Sequence, residues 1–130
     1  MARVVILRQE GSDEPHGIGH VDGLESMQAI VGGYIECVQI TELLDGRTLD
    51  LWTNEEGNFD SSLSTNRIAT IMCPEDVLLG PNGIMGDTFV CCSKDGECVD
   101  INPEMERLLQ TIVLSTGGLW AKPAEAHGLG

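Results

Sequence analysis

An Asp-Gly pair at residues 95–96 lies between two apolar stretches and is the strongest structural signal in the sequence. Asp-Gly favours a two-residue hairpin turn, because both positions tolerate positive φ angles. The pair therefore predicts that residues 87–93 and 98–101 are antiparallel strands of one β-hairpin. The turn also sets the register of the two strands, since residues equidistant from it face each other.

Three further segments have the pattern of β-strands. The β-branched and aliphatic residues within 2–8 predict a strand covered on both faces, which is typical of a sheet interior. Segments 34–40 and 48–53 alternate apolar and polar residues, as half-buried strands do. Residues 9–20 mix Gly, Ser, Asp, Pro and His without a period, so an exposed loop is predicted there.

Apolar residues at helical spacing predict three helices. The first follows Asp22 and Glu25, which have the spacing of a capping box, and it ends at a pair of glycines. A short helix is expected within residues 64–72. A longer helix is expected to begin at Pro103, since proline suits the first helical position.

Length and composition indicate one α+β domain. The chain has 130 residues, of which 42% are hydrophobic and only 4% aromatic, so a single core of aliphatic side chains is expected. The predicted elements form a small mixed or antiparallel sheet of about five strands with two main helices and one short helix. Residues 1–118 are assigned to this domain and 119–130 to a C-terminal tail, in which Trp120 can dock.

An excess of acidic residues restricts the possible partners. The chain has 7 Lys and Arg against 21 Asp and Glu, a net charge of -14, and Arg47 is the only Lys or Arg between Glu10 and Asp60. Such a surface repels nucleic acid and anionic membranes and attracts basic protein surfaces, although acidity also serves solubility alone. No segment approaches the roughly 18 apolar residues of a transmembrane helix, and no signal-peptide pattern occurs. A cytoplasmic protein is therefore expected.

The cysteines are interpreted as reduced thiols, because their number is odd and their spacing is not that of a secreted framework. They are Cys37, Cys73, Cys91, Cys92 and Cys98. Zinc is not indicated, since no pair has C-x2-4-C spacing. In the predicted hairpin register, Cys91 and Cys98 are diagonal neighbours about 7 Å apart, which argues against a disulfide.

No other cluster indicates a catalytic or cofactor site. His16 and His20 have the spacing of a metal pair, but the glycines between them disfavour a helix. Residues 54–60 lack the glycine position and the closing glutamate of a calcium loop. Residues 80–86 lack the Gly-Lys-Ser/Thr of a phosphate loop. No Ser or Cys has an assignable His partner, so the sequence predicts no catalytic residue, metal or cofactor and does not favour an enzyme.

Four short motifs occur in an order that resembles a known family. They are Gly32-Gly33-Tyr34-Ile35-Glu36 after an amphipathic helix, Asn54-Glu55-Glu56-Gly57, Asn66-Arg67, and Gly86-Asp87 before a Val-rich strand. Over about residues 4–101 the chain is similar to the phage and mobile-element family termed domain of unknown function 3846. The resemblance implies an accessory protein of a phage or plasmid, a setting in which small acidic proteins often block host defence enzymes. The Cys-rich last hairpin and the acidic early half depart from the family's usual pattern.

These motifs supply the candidate partner- or ligand-binding residues, which are Tyr34, Glu36, Asn54, Glu55, Glu56, Asn66 and Arg67. The leading expectation is an acidic face that binds a basic surface of a host protein, such as the nucleic-acid-binding groove of a defence enzyme in the host cytoplasm. The alternative is a small-molecule or nucleotide-binding module with Arg67 as anion contact. Backbone roles also fit: Gly33 as helix stop, Gly57 as left-handed turn residue and Asn66 as N-cap. The oligomeric state stays open.

Overall fold

The computed structural model describes residues 1–77 and 79–121. Within this part the chain forms six β-strands and three α-helices, so the α+β prediction is confirmed. In chain order they are β1 (Ala2–Leu7), β2 (Gly17–Val21), α1 (Leu24–Val31), β3 (Ile35–Glu42), β4 (Thr48–Asn54), α2 (Arg67–Met72), β5 (Thr88–Lys94), β6 (Glu97–Val99) and α3 (Pro103–Ser115), with a 3-10 turn at Gly57–Phe59 after β4.

All six strands belong to one antiparallel sheet with the order β2-β1-β5-β4-β3. The short strand β6 pairs with the second half of β5, beside β1. β5 is therefore central, and its first five residues, 88–92, are all buried. β1 lies between β2 and β5, as its apolar residues on both faces predict.

Helices cover both faces of the sheet, because successive residues of the inner strands are apolar and point to opposite sides. One face packs against α2 and α3, and this cluster includes Val5, Leu51, Ile68, Val90 and Leu109. The other face packs against α1, and this smaller cluster includes Val4, Val31 and Phe89. The sheet is thus the middle of three layers.

The strand directions bring the candidate residues to one end of the sheet. Leu7 pairs with Thr88, and Ile35 pairs with Asn54, so the ends of β1 and β4 meet the starts of β3 and β5. We call this edge of the molecule the loop end. All seven candidate binding residues lie at the loop end or among the first residues of a strand or helix that begins there.

Strand β2 corrects the prediction of a loop through residue 20. Its sequence contains two glycines, which disfavour a strand when read alone. In the structure a Cβ on Gly19 would overlap the side chain of Ile6 on β1. With glycine at this position, the Ile6 side chain lies against the β2 backbone, and the absence of a side chain at residue 19 hides the strand pattern.

The start of α1 also differs from the expected capping box. The residue before the helix is Gly23, with φ 83°, and no side chain caps the helix. The Ser26 hydroxyl accepts a hydrogen bond from the Asp22 N–H at 2.7 Å and donates to the Gly23 carbonyl at 2.8 Å. A serine one turn into the helix therefore takes the place predicted for Asp22 and Glu25.

Cys91 and Cys98 form a disulfide across the β5–β6 hairpin, which corrects the interpretation of five reduced thiols. The predicted register is right, since Ser93 lies opposite Cys98. The Cα–Cα distance is 6.3 Å, which is shorter than the diagonal spacing expected from the register and lies within the range that disulfides span. The free thiols are those of Cys37, Cys73 and Cys92.

The first residues of the predicted tail pack on the domain. The His16 N–H donates to the Leu119 carbonyl at 2.9 Å, and the Ala121 N–H donates to the His16 carbonyl at 2.7 Å. Trp120 packs against the main core, and residues 122–130 of the predicted tail lie outside the described residues. None of the described helices has the length and apolar character that crossing a membrane requires.

Candidate functional site

Two turns at the loop end fix the backbone around Tyr34 and Asn54. The Tyr34 carbonyl accepts a hydrogen bond from the Glu55 N–H at 2.8 Å, which extends the β3–β4 pairing by one residue. The Asn54 side chain donates from Nδ2 to the Val31 carbonyl at 3.2 Å and accepts at Oδ1 from the Glu56 N–H at 2.8 Å. Asn54 therefore ties the end of α1 to the turn that carries Glu55 and Glu56.

The motif glycines have steric roles that differ from those predicted. The left-handed residue that ends α1 is Gly32, with φ 79°, and not Gly33. A Cβ on Gly33 would lie 2.9 Å from Asn54 Nδ2. Gly57 does not have a positive φ; it is buried, and a Cβ there would lie 3.1 Å from the Cβ of Met85. Both glycines thus allow close packing of the turns.

Carboxylates and exposed aromatic rings surround these turns. A cavity of about 260 Å³ is lined by Tyr34, Glu56 and Asp60, and one of about 90 Å³ by Glu36 and Glu55. Asn54 lines both, and among the described residues no Lys, Arg or His lines either. Tyr34 is 64% exposed, and Phe59, in the turn between Glu56 and Asp60, is 90% exposed. We call this the acidic surface: Tyr34, Glu36, Glu55, Glu56, Phe59 and Asp60.

The carboxylates of the acidic surface have no ion-pair partner within the described residues. The ion pairs lie elsewhere and join Arg3 to Glu106, Arg8 to Glu14 and Asp87, and Arg47 to Asp45. The Ser62 hydroxyl and N–H donate to Asp60 at 2.6 and 2.9 Å. These hydrogen bonds lower the pKa of Asp60, so its carboxylate stays charged at neutral pH.

The remaining acidic residues of the early half are divided between several places. One group, at the opposite end of the sheet, comprises Asp22, Glu25, Glu42 and Asp45. A second, in the loop after β1, comprises Glu10, Asp13 and Glu14. Asp50 is 5% exposed and accepts a hydrogen bond from the Thr48 hydroxyl. Of these groups, which all lie in the described part of the chain, the acidic surface alone combines carboxylates with two exposed aromatic rings.

Asn66 is fully buried and connects three segments at the loop end. Its Nδ2 donates to the carbonyls of Leu7 at 2.8 Å and Gly86 at 2.9 Å. Its Oδ1 accepts from the Ala69 N–H at 3.2 Å, which confirms the predicted N-cap of α2. Asn66 and Gly86, which belong to two of the four motifs, are therefore hydrogen-bonded to each other. A buried amide with these partners positions loops.

Arg67 lines a different cavity, of about 310 Å³, between the loop after β1 and the end of α3. Arg8 and His16 line the same cavity. Arg67 is exposed and has no ion pair within the described residues. Tyr34 and Arg67 therefore line different cavities. The structure thus brings five candidate residues together and separates Arg67 from them.

His16 has a positioning role that the sequence did not indicate. Its Nδ1 accepts a hydrogen bond from the Arg8 backbone N–H at 2.9 Å, so the neutral ring carries its proton on Nε2. Burial lowers the pKa of His16, the charge of Arg8 lowers it further, and Asp87 opposes both effects. No local pattern could have revealed the contact, because it depends on the pairing of β1 with β2.

The part of the sheet that α1 leaves open has a further cavity, of about 400 Å³, lined by Cys37, Asp50 and Trp52. Burial, with a contribution from Asp50, raises the pKa of Cys37 to about 12. The thiol is therefore protonated at neutral pH and is a poor nucleophile. Within the described residues, no group of three His, Cys, Asp or Glu side chains is placed to hold a metal ion.

We expect Asn66→Ala to lower the free energy of unfolding by about 3 kcal/mol, because two buried carbonyls lose their donor and α2 loses its cap. Urea denaturation followed by circular dichroism measures this loss. Asn102→Ala is the matched control, since Asn102 begins α3 but its side chain makes no capping bond, and we expect it to cost less than about 1 kcal/mol. Equal losses in the two variants would contradict the connecting role of Asn66.

We expect protonation of His16 to destabilise the fold. Because its folded pKa lies below the unfolded value of 6.5, its contribution to stability is present above pH 6.5 and is lost as pH falls through the folded pKa. His16→Asn keeps an acceptor near Nδ1 but does not titrate, so its free energy of unfolding should fall less between pH 7.5 and 5, as measured in urea. The exposed His20→Asn is the control, and a wild-type pH slope in His16→Asn would refute the assignment.

Comparison with known protein families identifies the family of this chain. No curated protein and no solved structure matches it. The family model described as Domain of unknown function (DUF3846) matches residues 1–113. The match includes the turns of the acidic surface, the buried Asn66 and the cavity residue Arg67. With most of its length covered, the chain belongs to the DUF3846 family.

Proposed function

We propose that the protein is a non-enzymatic accessory protein that binds a basic surface of a partner protein through the acidic surface. One observation carries the proposal. Two exposed aromatic rings lie among four carboxylates that have no cationic neighbour in the described part of the chain. The turns that hold these side chains are fixed by hydrogen bonds, so the surface is formed before a partner arrives.

The charge of this surface supports a basic partner. Carboxylates without a counter-ion project their field into solvent, and at physiological ionic strength this field extends about 8 Å. It steers a positive surface towards the loop end and raises the association rate. The net charge of -14 adds to the attraction.

Tyr34 and Phe59 supply the contact area that charges alone lack. Burial of a large aromatic side chain contributes roughly 2 kcal/mol of favourable free energy, which an exposed ring does not gain. Such rings are enriched at the centres of protein interfaces. The Phe59 N–H donates to the Glu56 carbonyl at 2.9 Å, which fixes the turn beneath the ring. Ordering this turn on binding therefore costs little.

The setting that we propose is a phage or plasmid protein in the cytoplasm of the host cell. The partner is then a host defence enzyme, and the carboxylates occupy its nucleic-acid-binding groove in place of phosphates. The acidic composition and the family resemblance support this setting by analogy.

The test compares two variants that remove the same charge. The site variant carries Glu36→Gln, Glu55→Gln, Glu56→Gln and Asp60→Asn. The control variant carries Glu25→Gln, Asp95→Asn, Glu97→Gln and Glu104→Gln, which alter exposed carboxylates towards the opposite end of the sheet. Each immobilised protein captures partners from a bacterial host lysate, and mass spectrometry identifies them.

We expect the wild type and the control variant to recover the same basic protein. The site variant should recover roughly tenfold less or worse, because several charge pairs are lost together. Recovery by the wild type should also fall when salt is raised to roughly 0.5 M. Equal recovery by the two variants, or recovery that salt does not change, would contradict the proposed role of the acidic surface.

A second candidate function is binding of a small anionic molecule in the cavity beside Arg67. Arg67 has no ion pair within the described residues, and His16 presents an Nε2–H donor because Nδ1 is already occupied. The cavity volume of about 310 Å³ is at the lower end for small-molecule sites. Glu14, which also lines the cavity, is paired with Arg8. Glu10 and Asp13 line it as well and repel an anion, so the anionic group of a ligand would have to lie against Arg67.

Native mass spectrometry of protein purified from the natural host tests this second function. We expect a small molecule retained on the wild type and lost from Arg67→Ala. Arg107→Ala, on the exposed side of α3, removes the same charge and should keep the ligand. Bare wild-type protein from cells that grow normally would argue against the cavity as a ligand site.

A further inference from the structure

Strand β3 forms an open edge of the sheet. It runs from Ile35 to Glu42, and among the strands of residues 1–77 and 79–121 only β4 lies beside it. Eight residues is long for an exposed edge, and such edges are normally short, covered or protected by charge. The pairing of β3 with β4 shifts its register after Gln39, so the second half of β3 is irregular. The regular half begins at Ile35 and lies nearest the acidic surface.

The direction of the backbone groups follows from the pairing with β4. The Glu55 N–H donates to the Tyr34 carbonyl, so Tyr34 and Glu55 form a hydrogen-bonded pair. In an antiparallel ladder such pairs alternate with pairs whose N–H and C=O groups point away from the partner strand. Ile35, Cys37 and Gln39 therefore direct their backbone groups outwards. Among the described residues, none of the three has a backbone hydrogen bond from outside the sheet.

The side chains along this edge favour a basic neighbour. Glu36 and Glu42 are both exposed, and neither β3 nor β4 contains a Lys or Arg. On one face Glu36 and Val38 line the small cavity of the acidic surface. On the other face Cys37 and Gln39 line the open cavity next to Trp52. A strand added here would place alternate side chains over these two cavities.

We propose that the partner binds by strand addition: an extended, Lys- or Arg-containing segment pairs with the outward backbone groups of Ile35, Cys37 and Gln39. This inference rests on the proposed function and adds the form in which the partner is recognised. Backbone hydrogen bonds supply affinity, and the contacts of alternate side chains with Glu36 and the two cavities supply specificity. A second copy of this chain is disfavoured as the occupant, because each copy carries a net charge of -14.

The experiment uses a fluorescent eight-residue peptide in which Lys and Val alternate. Its matched control has N-methyl groups on two adjacent central residues, which removes a backbone donor from each edge and keeps the charge. Fluorescence anisotropy at low salt measures the affinity of both peptides for the full chain. We expect the N-methylated peptide to bind about tenfold more weakly, because whichever of its edges faces β3 loses one hydrogen bond and carries a methyl group in its place.

Two protein variants test the same edge from the other side. Cys37→Pro removes an outward N–H at an edge position, where proline is tolerated, and leaves the ladder to β4 intact. It should weaken binding of the unmethylated peptide about tenfold more than Cys37→Ala does, since Cys37→Ala alters the side chain but keeps the N–H. If Cys37→Pro does not fold, the comparison of the two peptides still decides whether binding occurs by strand addition.

The outcomes separate this inference from the proposed function. If both peptides bind the wild type equally and neither binds the site variant of the acidic surface, strand addition is wrong. Binding of a basic partner through the acidic surface would still hold. Failure of both peptides to bind would overturn strand addition, and the lysate capture then decides the proposed function independently. A dimer in analytical ultracentrifugation that Cys37→Pro dissociates would identify a second copy as the occupant and overturn the inference.

Discussion

The burial of both faces of β5 is the constraint on which the rest of the structure depends. Phe89 and Cys91 face α1, whereas Val90 and Cys92 face α2 and α3, so neither side of this strand tolerates water. One edge of β5 pairs with β4, and the other is shared by β1 and β6. These pairings fix the strand directions and therefore decide which turns meet at the loop end. The acidic surface is a consequence of this arrangement as much as of its own residues.

Local patterns were sufficient for most of the fold. The Asp-Gly turn predicted the hairpin and its register, which the pairing of Ser93 with Cys98 confirms. Two features depended on contacts between distant residues and were not predictable. In β2 the Ile6 side chain lies over Gly19, so no alternation of apolar and polar side chains marks the strand. The Cys91–Cys98 disulfide depends on the distance between the two cysteines in the finished hairpin. In both cases the tertiary structure overrides the local signal.

The candidate site was predicted only in part. The motifs correctly indicated the turns at Tyr34 and at residues 54–57, which the β3–β4 pairing brings together. They could not indicate that Asn66 is buried and holds loops, whereas its sequence neighbour Arg67 lines another cavity. Adjacent residues at a helix start point in different directions, so a shared motif does not imply a shared site. The sequence did not indicate Phe59, because the polar residues around it give no sign that its ring is exposed in the 3-10 turn.

The contact between Trp52 and the hairpin disulfide has a consequence for observing the protein. The indole N–H of Trp52 lies 3.3 Å from Cys91 Sγ, whereas Trp120 packs in the other layer of the core. A disulfide next to an indole quenches the fluorescence of the indole by accepting an electron from its excited state. A pair of thiols quenches this fluorescence less. The fluorescence of Trp52 in unlabelled protein therefore reports whether the hairpin cysteines are oxidised. Measuring it requires no change at the loop end.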